Sequence, residues 1–160
     1  LVLVGENTAY VELFDEYHSK LLYEYYLDFD VVDDLTLIEE DIVKVTYLNT
    51  NSIHDIFEEK LQPSFADIVN IVLSGEIWID AMNKNVNKGN SLQKVLDYYG
   101  LDSSELISFG DYHNDIQMMQ LAGKSYAVDN AHIDVKNIAD EIIEDNDTNA
   151  VLRKIEDYLR

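Results

Sequence analysis

The chain has 160 residues, 47% of them hydrophobic, which is enough apolar material to bury a core in one ordinary domain or two small ones. A formal charge of -21 repels nucleic-acid backbones and anionic membrane surfaces, so neither is expected as a partner. There is no cysteine, which removes disulfide frameworks, thiolate zinc sites and cysteine nucleophiles together, and no apolar run approaches the ~18 residues that a membrane helix needs.

The opening run Leu1-Val2-Leu3-Val4 stops at Gly5-Glu6, too short for a signal peptide and without its basic flank, and the chain reads as soluble and cytoplasmic. Residues 1–83 carry strand-like runs at Ile42 to Tyr47 and Glu76 to Asp80 around an amphipathic stretch from Ile53 to Leu61, the pattern of a small α+β unit. Pro63, the one proline, falls in a loop-like stretch just after that helix.

From residue 84 to 160 helix-like and strand-like segments alternate with short joints, as in a parallel sheet flanked by helices. Asn90-Ser91 can cap a helix with Leu92, Val95, Leu96 and Tyr99 at helical spacing, ended by Gly100 as a left-handed cap. Leu106 to Phe109 reads as a buried strand, followed by a helix from Asn114-Asp115 to Gly123. Ser125 to Val128, Ile133 to Ala139 and Glu141 to Ile143 then read as strand, helix and strand, and Val151 to Leu159 as a closing helix. The repeat predicts an α/β, doubly wound, Rossmann-like sheet.

In such a sheet ligands bind beyond the carboxyl ends of the strands, which is where Asp111 stands. Asp115 lies one helical turn further on, so both carboxylates can face one side, and Asn114 adds a neutral amide at the helix start. Two carboxylates and an amide at a helix N-terminus suit magnesium, which takes a few carboxylates, water and phosphate oxygens. The same residues would also serve as plain helix caps. Lys88-Gly89, at the mouth of the preceding helix, tips the balance, because an ammonium there can reach the same strand edge and neutralise a phosphate.

The segments Val86-Asn87-Lys88-Gly89, Ile107 to Ile116 with Gly110-Asp111-Tyr112-His113-Asn114-Asp115 at their centre, Met118-Met119, Ala122-Gly123, Ala127-Val128, Asn130-Ala131 and Val135-Lys136 resemble, in order, the C-terminal core of Cof-type (subclass IIB) haloacid-dehalogenase (HAD) hydrolases. The resemblance covers roughly residues 84 to 155. It implies a Mg2+-dependent phosphatase of small phosphorylated metabolites. Lys88 would contact phosphate, Asp111 would ligate the metal, Asn114 would touch phosphate, and Asp115 would support the metal loop as a second acidic ligand. It also implies that residues 1–83 are an α+β cap of the C2B type and residues 84–160 the C-terminal part of the core.

Family members attack phosphorus with the first aspartate of an Asp-x-Asp-Gly-Thr motif. That motif is not in this sequence, and neither is the serine or threonine of the family's second motif. Asp28-Phe29-Asp30-Val31-Val32 is a look-alike with valines where the glycine and threonine belong, and it reads as a cap loop. Expected partners are therefore a small phosphorylated metabolite and the missing N-terminal half of the core. The alternative is a non-catalytic fragment or subunit that binds phosphate or protein.

Two other patterns read as structural. Asp145-Asn146-Asp147-Thr148-Asn149 with Glu156 imitates a calcium loop, but Ala150 stands where that loop needs glycine, so helix capping by Asp147 or Asn149 is expected. His18, His54, His113 and His132 look too scattered for a zinc site, with His113 a solvated loop residue and Tyr112 a candidate for the substrate entrance.

Overall fold

The computed structural model describes residues 1–12 and 15–160. The chain divides into one unit of residues 1–72 and 76–84 and another of residues 85–160 with residues 73–75. No helix among the described residues is long and apolar enough to cross a membrane.

The first unit is built on a six-stranded sheet. Its strands are β1 (Val2–Gly5), β2 (Ala9–Glu12), β3 (Asp30–Val32), β4 (Ile42–Leu48), β5 (Val69–Gly75) and β6 (Trp78–Asn83), in the spatial order β3-β2-β1-β4-β6-β5. β1 pairs antiparallel with β2 and β4, and β4 antiparallel with β6, while β2 and β3 run parallel. Helix α1 (Glu16–Tyr25) is capped by Asp15, whose carboxylate accepts from the His18 backbone N–H at 3.0 Å. Leu22 of α1 joins Val2, Ala9, Val11 and Trp78 in the buried cluster of this unit. The strands β1, β2, β3 and β5 and helix α1 are additions to the elements expected from sequence. β1, β2 and β3 are only three or four residues long, and β2 and β3 carry a tyrosine or acids among their apolar positions.

The amphipathic stretch forms α2 (Ile53–Ile56), a π turn over Phe57–Leu61 and α3 (Gln62–Phe65). Pro63 therefore sits inside a helical segment and not in the expected loop. The π turn changes the hydrogen-bond register, and the proline falls in the first turn of α3 that follows it. Asp30–Val32 forms β3 at the edge of this sheet, so the Asp-x-Asp look-alike lies partly on a strand of the first unit.

The second unit carries three parallel strands, β7 (Ile107–Gly110), β8 (Lys124–Val128) and β9 (Glu141–Ile143), in the order β7-β8-β9. Helix α5 (Ile116–Leu121) connects the first two and α6 (Ile133–Ile138) the next two, giving the strand-helix alternation its parallel sheet. Met119, Ala127, Val128, Ala131 and Val135 form the core, with Ile116, Ile138, Ile143 and Val151 packed against it. Tyr126 points to the opposite face from Ala127. There it stacks on Phe109 and its hydroxyl meets that of Tyr158 at 2.6 Å, in the closing helix α7 (Ala150–Tyr158).

Helix α4 (Lys88–Tyr99) begins two residues before the expected cap. Asn87 is the N-cap, its side chain accepting from the Asn90 N–H at 2.7 Å, while Gly100 ends the helix at φ +67° as expected. Leu96 is buried, but Val95 and Tyr99 are exposed, so the apolar stripe is narrower than the sequence implied. At α7 the expected caps are corrected too. Asp145 caps the preceding turn through the Asp147 N–H at 2.8 Å, and Asn149 stands at the N-cap in a left-handed conformation with no side-chain cap bond.

α4 packs tightly on α5 because Gly89 has no side chain. A Cβ there would lie 2.7 Å from the carbonyl oxygen and 2.8 Å from the carbonyl carbon of Gln117, backbone atoms that have no rotamer to move out of the way. Gly89→Ala should therefore destabilise the protein by ~1–3 kcal/mol, read as a lower urea midpoint at unchanged m-value. An unchanged midpoint would show that α4 is not held against α5 at this point.

Candidate active site

β7 delivers the chain to the site. Gly110, its last residue, is buried, and a Cβ at this position would come within 2.4 Å of the Met119 sulfur and 2.8 Å of the Asp115 Cβ. Only glycine lets the strand end this close to the helix that follows, so Asp111 emerges directly at the carboxyl edge of the sheet. A short 3-10 turn over His113–Asp115 then carries the chain into α5.

Asp115 is the organising residue. It is only 4% exposed, and both carboxylate oxygens are engaged. Oδ1 accepts from the Lys88 ammonium, and Oδ2 accepts from the Asp111 backbone N–H at 3.1 Å. Lys88 is the first residue of α4 and its side chain stays half exposed, so one end of the ion pair is buried and the other faces solvent. Three of the sequence-predicted residues, Lys88, Asp111 and Asp115, are thus brought together. Asn114, the fourth, is half-buried on the 3-10 turn, and its side chain makes no hydrogen bond among the described residues.

The charges do not balance. Burial, and then the hydrogen bond and charge of the neighbouring Asp115, push the Asp111 carboxyl above its ordinary value of 3.8, and Lys88 only partly opposes them. One ammonium faces two carboxylates. A hard divalent cation on Asp111, with Asp115 behind it, would supply the missing charge, and an all-oxygen donor set fits magnesium.

His113 departs from its sequence reading. It is half-buried, not solvated, with Nε2 3.0 Å from Asp134 Oδ2 and its ring 4.2 Å from that of His132. Two of the four histidines are therefore neighbours. His132 also ties its loop to the loop that follows β7, its backbone N–H donating to the Asp111 carbonyl at 2.9 Å. A single sequence gives no sign of this pairing except that both histidines follow adjacent strands. Tyr112 lies against both rings, at 5.0 Å from His113 and 5.6 Å from His132 between centroids.

Comparison with known proteins places the chain in a family. Residues 1–155 match the family described as haloacid dehalogenase-like hydrolase. A 5-amino-6-(5-phospho-D-ribitylamino)uracil phosphatase of Escherichia coli is 29% identical over 161 aligned positions, spanning 100% of this chain and 59% of that protein. A crystal structure from Streptococcus mutans is 30% identical with a TM-score of 0.87, over 99% of this chain and 60% of that one. A haloacid dehalogenase subclass IIB sugar phosphatase shares the fold, with a TM-score of 0.80 at 21% identity over 98% of this chain and 59% of that one. The chain thus spans about three fifths of the length of these proteins.

The raised Asp111 carboxyl has a signed consequence. Its stabilising protonation is fully present below the ordinary value of 3.8 and is lost as pH rises through the raised folded-state value, so at neutral pH the metal-free protein carries an unfavourable charge. Asp111→Asn should raise the metal-free Tm at neutral pH by about 1–2 °C, and the gain should vanish below the ordinary carboxylate range. Added magnesium should stabilise the parent and not the variant. A variant that melts lower than the metal-free parent at neutral pH would contradict the charge imbalance.

Proposed function

We propose that this chain, which belongs to the haloacid dehalogenase-like hydrolases as its Cof-type motifs imply, forms the greater part of a magnesium-dependent phosphatase of small phosphorylated metabolites. The observation that carries the reading is the single buried Asp115 carboxylate that holds both the Lys88 ammonium and the backbone of Asp111. Lys88 faces a phosphoryl oxygen and offsets its charge, and Asn114 donates its amide to a second oxygen. Asp111 would hold magnesium with Asp115 as the supporting acid. When bound, the ion neutralises charge that builds on the transferring phosphoryl group.

In this reading residues 1–83 are an α+β cap of the C2B type that selects the substrate, and residues 84–160 are the C-terminal part of the core. The nucleophilic aspartate comes from the N-terminal half of the core, outside these residues. Its carboxylate attacks phosphorus in line, the ester P–O bond breaks, the second aspartate of that motif protonates the leaving oxygen, and water then hydrolyses the aspartyl-phosphate. Two facts support this assignment. β7 stands at the edge of its three-stranded sheet, where a further parallel strand can pair. The relatives are also longer than this chain, by the shares already given. The phosphatase named in the Escherichia coli relative supports the reaction class. The acidic, cysteine-free composition suits a cytoplasmic enzyme without nucleic-acid or membrane partners.

The absence of Asp-x-Asp-Gly-Thr from the sequence keeps a second reading in view, a phosphate- or protein-binding module without turnover. Isothermal titration of the 160-residue chain with phosphate separates the two cases. Magnesium-dependent binding without turnover marks a half-site awaiting its nucleophile, and no binding marks a structural module. The intact protein should hydrolyse a generic aryl phosphate only with magnesium. Asp111→Ala should abolish the activity and Lys88→Ala should lower kcat by ~10²–10³-fold. Activity indifferent to magnesium or to Asp111→Ala would sink the phosphatase reading.

A further inference from the structure

β7 and β8 run in parallel register, with Gly110 beside Ala127, so the loops that leave them emerge at the same edge of the sheet. One loop carries His113 and the other carries His132 and Asp134. The two imidazole rings lie 4.2 Å apart between centroids, and Asp134 Oδ2 is 3.0 Å from His113 Nε2 and 3.5 Å from His132 Nδ1. Each of the three side chains offers one ligand atom, and all these atoms lie within 4.8 Å of one another.

We propose that His113, His132 and Asp134 form a second metal site, for a borderline divalent transition ion such as zinc, separate from the Asp111 carboxylate. Two imidazole nitrogens and one carboxylate oxygen are a donor set that zinc and its neighbours favour and that magnesium, which prefers oxygen throughout, does not. Metal–nitrogen bonds of about 2.0–2.1 Å in a tetrahedral site set ligand atoms roughly 3.3 Å apart. Three protein ligands leave a fourth position for water or an anion.

The frame that would hold the site is already in place. His132 is the N-cap of α6, its backbone N–H is bonded to the Asp111 carbonyl, and its Nδ1 accepts from the Asp134 N–H at 3.2 Å, a bond that a metal on Nδ1 would replace. The bland alternative is a histidine hydrogen-bonded to an aspartate beside a helix cap. That alternative accounts for each contact separately but leaves both imidazoles directed at one and the same carboxylate oxygen, Asp134 Oδ2. The formal charge of -21 also raises the local concentration of divalent cations around the protein.

The test is zinc titration of the intact protein in excess magnesium, followed by long-range proton–nitrogen NMR spectra of the histidine rings. The proposal expects the ring nitrogens of His113 and His132 to move to metal-bound shifts while those of His18 and His54 stay in place. His132→Asn keeps a side-chain acceptor for the Asp134 N–H, so α6 stays capped, and it should weaken zinc binding at least tenfold. Asp134→Asn should weaken it as well, and Asp111→Asn should leave it intact. Zinc that is displaced by magnesium, that shifts neither ring, that binds His132→Asn undiminished or that is lost in Asp111→Asn would overturn the proposal.

Discussion

The second unit depends on a carboxylate that has no freedom to move. Asp115 is buried at the start of α5 and carries a negative charge into a place where an unpaired charge would cost several kcal/mol. It is tolerated because one oxygen meets the Lys88 ammonium and the other the Asp111 N–H. The pairing fixes three things together: the approach of α4 to α5, the path of the chain as it leaves β7, and the placement of a cation and an anion at one sheet edge. A half-exposed ammonium on a buried carboxylate is a poor device for stability alone and a good one for presenting a positive charge to a phosphate.

Two glycines make that arrangement sterically possible. Gly89 brings α4 against the Gln117 backbone, and Gly110 lets β7 end against Met119 and Asp115. Both sit beside residues of the proposed site, so the lysine and the aspartate are positioned by backbone packing and not by long, mobile side chains alone. The unfavourable charge on Asp111 is the other side of the arrangement, because the groups that repel one another without a metal are those proposed to bind it.

Where the sequence was legible, it was legible through short-range rules. Gly100 closes α4 because a left-handed C-cap is a local demand, and the strand-helix alternation after residue 84 announced a parallel sheet through its period. Lys88, Asp111, Asn114 and Asp115 could be singled out because strand ends and helix starts are where such chemistry gathers. The misses are tertiary. Asn87, and not Asn90, caps α4, its side chain accepting from the Asn90 N–H, and this early start places Lys88 by Asp115; Pro63 enters a helix directly after a π turn. His113 and His132 looked scattered because eighteen intervening positions hide the fact that their loops leave neighbouring parallel strands. In the first unit the short strands β1, β2 and β3 take their order from pairings that no single run of residues encodes.

If one carboxylate governs both the lysine and the metal loop, the two sides of the ion pair act on ligand binding as one unit. A double-mutant cycle on phosphate affinity in saturating magnesium, with Lys88→Met, Asp115→Asn and the pair together in the intact protein, tests this most directly. The double variant should bind phosphate no more weakly than Lys88→Met alone, giving a coupling energy above ~1 kcal/mol. Losses that add to within ~0.5 kcal/mol would contradict it, because Lys88 would then be positioned without Asp115.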